Sequence, residues 1–184
     1  MHRLAAWLGP LLFAACAGTE PIPESPPAPP EARACAGEIA PHRGLVEIRD
    51  DALLAQAIGA PGQGHLCAGK VFEVVEPVTI HRVWNKAKPH TQLGRWWSFD
   101  APTGTVADYR AAFAVCPEWS PLDMVTTCKL EVGARIVVGP GQSARCEKTF
   151  YPASPRNQVF VPNETKDPER TRVLVEGCSA ATWP

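Results

Sequence analysis

The sequence has almost no net charge, −1 over the whole chain, and no apolar run long enough to cross a bilayer, the run at its start included. Outside residues 1–34, which carry Arg3, Arg33, Glu20, Glu24 and Glu31, it holds 16 basic and 16 acidic side chains. Without a basic cluster or stripe it lacks the electrostatic footprint of a nucleic-acid binder. It contains no C-x-x-C pair, and His42, His65, His81 and His90 follow no ligand spacing, which disfavours a metal centre. No G-x-S-x-G is present and no histidine stands at a recognisable spacing from a nucleophile, which argues against a serine hydrolase. No internal repeat is found.

The start of the chain is more informative. His2 and Arg3 precede an apolar run from Leu4 to Phe13, and Ala14-Ala15 leads to Cys16, the layout of a secretory signal. Phe13-Ala14-Ala15-Cys16 resembles a bacterial lipobox, in which the signal is cut before the cysteine and that cysteine is acylated. The resemblance implies lipidation of Cys16, a membrane anchor and, with Ala17 rather than Asp after it, sorting to an outer membrane. Phe13 stands where the pattern prefers Leu, which leaves ordinary signal cleavage and a periplasmic or secreted product as the alternative. Residues 17–34 carry Pro21, Pro23, Pro26, Pro27, Pro29 and Pro30 with almost no apolar side chains, so a semi-rigid tether is expected there. The remaining stretch, 35–184, has the size of one domain.

With Cys16 assigned to the lipid, Cys35, Cys67, Cys116, Cys128, Cys146 and Cys178 are left. An even six in an exported domain reads as up to three disulfides, with fifteen connectivities open.

Periodicity then maps the domain. Leu45 to Arg49 alternates as a strand, and Asp50 caps a short helix bearing Leu53, Leu54, Ala57 and Ile58, stopped by Gly59 and Pro61. Lys70–Val75, Val78–Trp84 and Arg95–Phe99 read as extended runs. Thr105 and Asp108 form a capping-box pattern ahead of Val106, Tyr109 and Phe113, which fall at helical spacing. Strands follow at Met124–Val132, Arg135–Val138, Asn157–Val161 and Arg172–Glu176, with a turn at Gly133 and a Gly139-Pro140-Gly141 loop closing a hairpin. The expected fold is α+β: two short helices on a twisted, mostly antiparallel pair of small sheets, stapled by disulfides.

One residue is out of place. Period two puts Arg82 in the apolar series Val78, Ile80, Trp84, and a guanidinium beside a core face needs a partner or a pocket rim. His81-Arg82-Val83-Trp84 is followed by Gly94-Arg95-Trp96-Trp97-Ser98, Tyr109-Arg110, the Gly133–Val138 turn and strand, and Asn157-Gln158-Val159-Phe160-Val161. In this order the motifs resemble the ADP-ribosyltransferase superfamily, in its NAD-consuming toxin branches. The resemblance implies NAD as substrate, with no permanently bound cofactor. Arg82 would hold the phosphate or ribose, Ser98 would brace the nicotinamide pocket, Trp96 or Trp97 would stack on the nicotinamide, and Gln158 would bond its ribose during glycosidic cleavage. An acidic pair near Gln158, the mark of arginine-modifying members, is missing, which points to NAD glycohydrolysis, another acceptor or an inactive relative. The alternative is a non-catalytic surface lipoprotein that binds a protein or polymer partner.

Overall fold

The computed structural model describes residues 35–40, 42–167, 169 and 171–184. The signal, Cys16 and the tether fall outside the described residues. In chain order the elements are β1 (Leu45–Ile48), α1 (Asp51–Ala57), β2 (Lys70–Val74), β3 (Thr79–Trp84), β4 (Trp96–Trp97), α2 (Val106–Phe113), β5 (Met124–Leu130), β6 (Arg135–Gly141), β7 (Ala144–Arg145), β8 (Phe150–Tyr151), β9 (Ser154–Phe160) and β10 (Val175–Thr182). A 3-10 turn spans Pro89–Thr91.

The strands make a five-stranded sheet ordered β1-β2-β6-β9-β4, a three-stranded sheet ordered β10-β5-β3, and a β7-β8 ribbon. All pairings between these strands are antiparallel. The α+β expectation of small antiparallel sheets with two short helices holds. The two larger sheets meet where His81 and Ser98 exchange backbone N–H···O bonds of 2.8 Å each, a bridge from β3 to the residue after β4.

Phe72, Val74, Ile136, Val138 and Val159 of one sheet pack with Ile80, Cys128, Leu130 and Val175 of the other in the main core. On the far face of the five-stranded sheet, Leu53 and Ala57 of α1 cover Val71, Val137 and Phe160. Strands β2 and β6 are therefore buried on both faces, which is why Val71-Phe72 and Ile136-Val137-Val138 run apolar without alternation. Both helix starts follow their caps. Asp50 accepts from the Leu53 N–H, and Thr105 and Asp108 form the reciprocal capping box.

The six cysteines pair as Cys35–Cys67, Cys116–Cys146 and Cys128–Cys178, which selects one of the fifteen connectivities. Two sequence expectations are corrected. Gly139-Pro140-Gly141 is not a hairpin loop but the end of β6, paired to β9. A register shift between Pro140 and Gly141 absorbs the missing proline N–H, and the Ala68 carbonyl lies so close to Gly139 that no Cβ fits. The last strand begins at Val175 and runs to Thr182, with Arg172 bridging only Glu164. Its small, mostly exposed residues and the bulge at Gly177, φ 58°, hid it from a pattern search.

Candidate functional site

Beyond Ile80 the chain of β3 leaves the main core, and Arg82 and Trp84 reach a cleft of about 310 Å³ instead. Its walls come from both sheets: Arg82 and Trp84 from β3, Trp96 and Trp97 from β4, Gln158 from β9. Tyr109 and Phe113 of α2 cover it, and two loop segments, Gln63–His65 and Ala114–Leu122, form its rim. On β9, period two gives Gln158 the face of Phe160, the same face that carries Trp96. Trp96 stands between Phe160 and His65, with both ring centroids at 5.1 Å.

Arg82 is the polar centre. Its Nε donates to the Thr91 carbonyl at 2.7 Å and its Nη1 to the Trp96 carbonyl at 2.6 Å. Nη2 has no protein acceptor among the described residues, and no carboxylate pairs with the guanidinium. Burial lowers its pKa to about 10, with Tyr109 acting weakly against that shift, so the group stays cationic at neutral pH. Gly94 leaves room beside it, since a Cβ there would stand 2.6 Å from Nη2 and push the guanidinium aside. Burial also raises the Tyr109 phenol to about 12, a shift opposed by the Arg82 charge and by a backbone hydrogen bond at Val83. Among the described residues no Asp or Glu lines the cleft.

A second donor is unmatched. Trp84 is 6% exposed, and its Nε1 is buried without an acceptor among the described residues. Leaving such a donor unpaired costs on the order of 1–3 kcal/mol. Gln158, 7% exposed, donates from Nε2 to the Phe113 carbonyl at 3.2 Å, which leaves Oε1 free to accept. The Trp97 ring is packed in the core and its Nε1 is tied to the Gly94 carbonyl at 2.7 Å. Ser98, in contrast to the four other residues singled out from sequence, does not line the cleft. It is 2% exposed, and its Oγ donates to the Asp100 carbonyl at 2.8 Å. It braces the seam through its backbone bonds to His81.

The rim carries backbone strain. Outside glycine, the described residues with positive φ are His65 (70°), Ala114 (51°) and Leu122 (62°), and all three line the cleft. Left-handed backbone costs a non-glycine residue about 1–3 kcal/mol and persists only where surroundings enforce it, which is a property of functional sites. The enforcement is visible. Arg110, buried with no carboxylate partner, donates from Nη2 to the Ser120 and Pro121 carbonyls at 2.6 and 3.3 Å and from Nη1 to the Val115 carbonyl at 3.2 Å. Cys116–Cys146 ties the same segment to the β7-β8 ribbon, and Cys35–Cys67 ties the end of the other segment. Cys116, Glu118 and Cys146 lie close enough to share an ion, but the two sulfurs are bonded to each other and offer no thiolate pair.

Sequence reasoning found Arg82, Trp96, Trp97 and Gln158 but missed Trp84, His65, Phe113 and Tyr109 as wall residues. Trp84 and the α2 aromatics carried only core-packing signals. His65 had none, because its position depends on a loop folded back onto β6, where its carbonyl accepts from the Gln142 N–H. The chain matches no family model, no curated protein and no solved structure.

Proposed function

We propose that the domain, held at a membrane through Cys16, binds NAD in this cleft. The observation that carries the reading is a cationic Arg82 without a carboxylate, set in an aromatic cleft together with Trp96, Trp97 and Gln158. In this reading the diphosphate sits at the Arg82 guanidinium, whose free donors suit phosphate oxygens. The half-buried Trp96 ring borders the space that a planar ring would take, and Gln158 Oε1 accepts from a ribose hydroxyl. Turnover, where it occurs, is hydrolysis: the ribose–nicotinamide bond breaks with its electrons leaving on nicotinamide, and water adds to the ribose carbon with loss of a proton. Positive charge develops on the ribose, so anchoring the diphosphate at a distance and orienting the sugar are what the cleft contributes.

Among the described residues no carboxylate lines the cleft to take that proton, and this favours a second reading, a surface lipoprotein that holds its ligand or partner without turnover. Trp119, 46% exposed at the rim, gives a partner an apolar contact. Calorimetry with NAD on the disulfide-intact mature protein tests binding, and chromatography of released nicotinamide tests turnover. Arg82→Ala should weaken NAD by about tenfold or more, because a charge-assisted contact to phosphate is lost. Gln158→Ala should weaken NAD less than Arg82→Ala does and act mainly by lowering turnover. Absence of NAD binding at millimolar ligand removes the nucleotide reading and leaves the partner-binding one.

A further inference from the structure

We propose that Trp84 is a ligand-binding residue: its indole Nε1–H is the second donor of an anion subsite whose first donor is Arg82. This deepens the cleft-binding reading and rests on it.

Trp84 and Arg82 are two residues apart on β3, and period two carries both side chains to one side of the strand. Both line the same cleft. Each retains donor capacity that the protein leaves unused: Arg82 at Nη2, Trp84 at Nε1. Neither group accepts a hydrogen bond in any protonation state open to it at neutral pH. The contrast with Trp97 is instructive. That indole is also buried, yet its Nε1 meets the Gly94 carbonyl at 2.7 Å, so this fold does satisfy a buried indole at the same cleft. On β5, Thr126 and Met124 stand opposite Arg82 and Trp84, and neither brings a carboxylate to the site. Lys129 and Asp123, the charged residues nearest along that stretch, are exposed and half-buried respectively and line no part of the cleft.

Two unmatched donors and a wall without acid select a ligand by sign. An oxygen anion gains two charge-assisted or polar contacts, an amine gains none and meets a cation. The chemical class is a phosphate or carboxylate oxygen attached to a planar ring system. In NAD that group is the diphosphate.

The test uses the full-length mature protein with four probes: NAD, ADP-ribose, nicotinamide and benzoate. Trp84→Phe keeps an aromatic ring and removes the donor together with part of the indole's volume, a loss of bulk that neutral nicotinamide also feels, and affinity for anions should fall by about 10- to 100-fold. Affinity for neutral nicotinamide should change less than twofold. On 15N-labelled wild-type protein the Trp84 indole resonance should move downfield on adding an anion while the Trp97 indole stays in place. This measurement holds even where Trp84→Phe folds poorly. ADP-ribose and NAD weakened alike support the subsite and the nucleotide reading together. Benzoate bound in a Trp84-dependent way by a protein that ignores NAD and ADP-ribose supports the subsite and removes the nucleotide reading. Equal loss for nicotinamide and the anions, an unmoved Trp84 resonance at saturation, or no binding of any anion overturns the proposal.

Discussion

The sheet core and the cleft rim are held by different means. Between the sheets, aliphatic side chains on antiparallel ladders fix the backbone, and Cys128–Cys178 adds a link between strands β5 and β10 that are already paired. At the rim there is little regular structure. Three left-handed non-glycine residues are kept in place by two disulfides and the buried fork of Arg110. The core is stable because of what it buries. The rim is shaped by what it is tied to, and it is the part that lines the cleft.

The largest expected effect comes from opening one disulfide in each region. Closing loops of 30 and 50 residues contributes about 3.5–4 kcal/mol in each case by chain entropy, so the paired Cys→Ser variants at 116/146 and at 128/178 should lose similar stability in denaturant. Binding should separate them. The 116/146 variant should weaken NAD by tenfold or more while the 128/178 variant stays within twofold, and equal affinities in the two would end the distinction between core and rim.

Next in size is Arg110→Met, which keeps the buried stem and removes the fork. Loss of its bonds to the Ser120 and Val115 carbonyls should cost about 2 kcal/mol and raise amide exchange in residues 115–121 before any exchange in β6. Uniform exchange across both regions would mean that Arg110 serves the core instead.

Ala114→Gly acts in the opposite direction. Ala114 occupies the left-handed position that ends α2, where glycine carries no penalty, so the substitution should raise thermal stability by about 0.5–1 kcal/mol. If the strain preorganises the rim, affinity should drop slightly as stability rises, and a calorimetric titration of the variant would reveal it.

The smallest effect is on pH. Burial lowers the pKa of His65 at the rim, and of His81 at the seam, where Asp100 works against it. A histidine depressed in the folded state binds fewer protons than in the unfolded chain. Its contribution is therefore complete above about pH 6.5 and is lost as pH falls from there toward the folded value. Melting temperature should decline on acidification from pH 7 to 5, and His65→Gln should flatten part of that slope. An unchanged slope would assign it to His81 and the seam.

How much of this was legible follows the same division. Asp50 and Thr105-Asp108 announced both helices, because a cap is a local hydrogen bond between residues three apart. Alternation and apolar runs announced β2, β3, β5 and most of β6 and β9. Arg82 was noticed because it broke a period-two series, and Gln158 because of its order among the motifs. Trp84 was hidden for the opposite reason, since it satisfied the series and so read as core.

By itself the sequence determined the helix starts, most strands, the number of cysteines available for pairing and the one arginine out of register, because each of these depends on neighbours along the chain. Only the tertiary structure decided which cysteine meets which, that Gly139-Pro140-Gly141 pairs instead of turning, and that Arg82 and Trp84 have unmatched donors in one cleft. Those outcomes depend on partners far apart in sequence, such as the Ala68 carbonyl over Gly139 and the Thr91 and Trp96 carbonyls at Arg82. An unmet hydrogen bond can be recognised only once every other group has found its place.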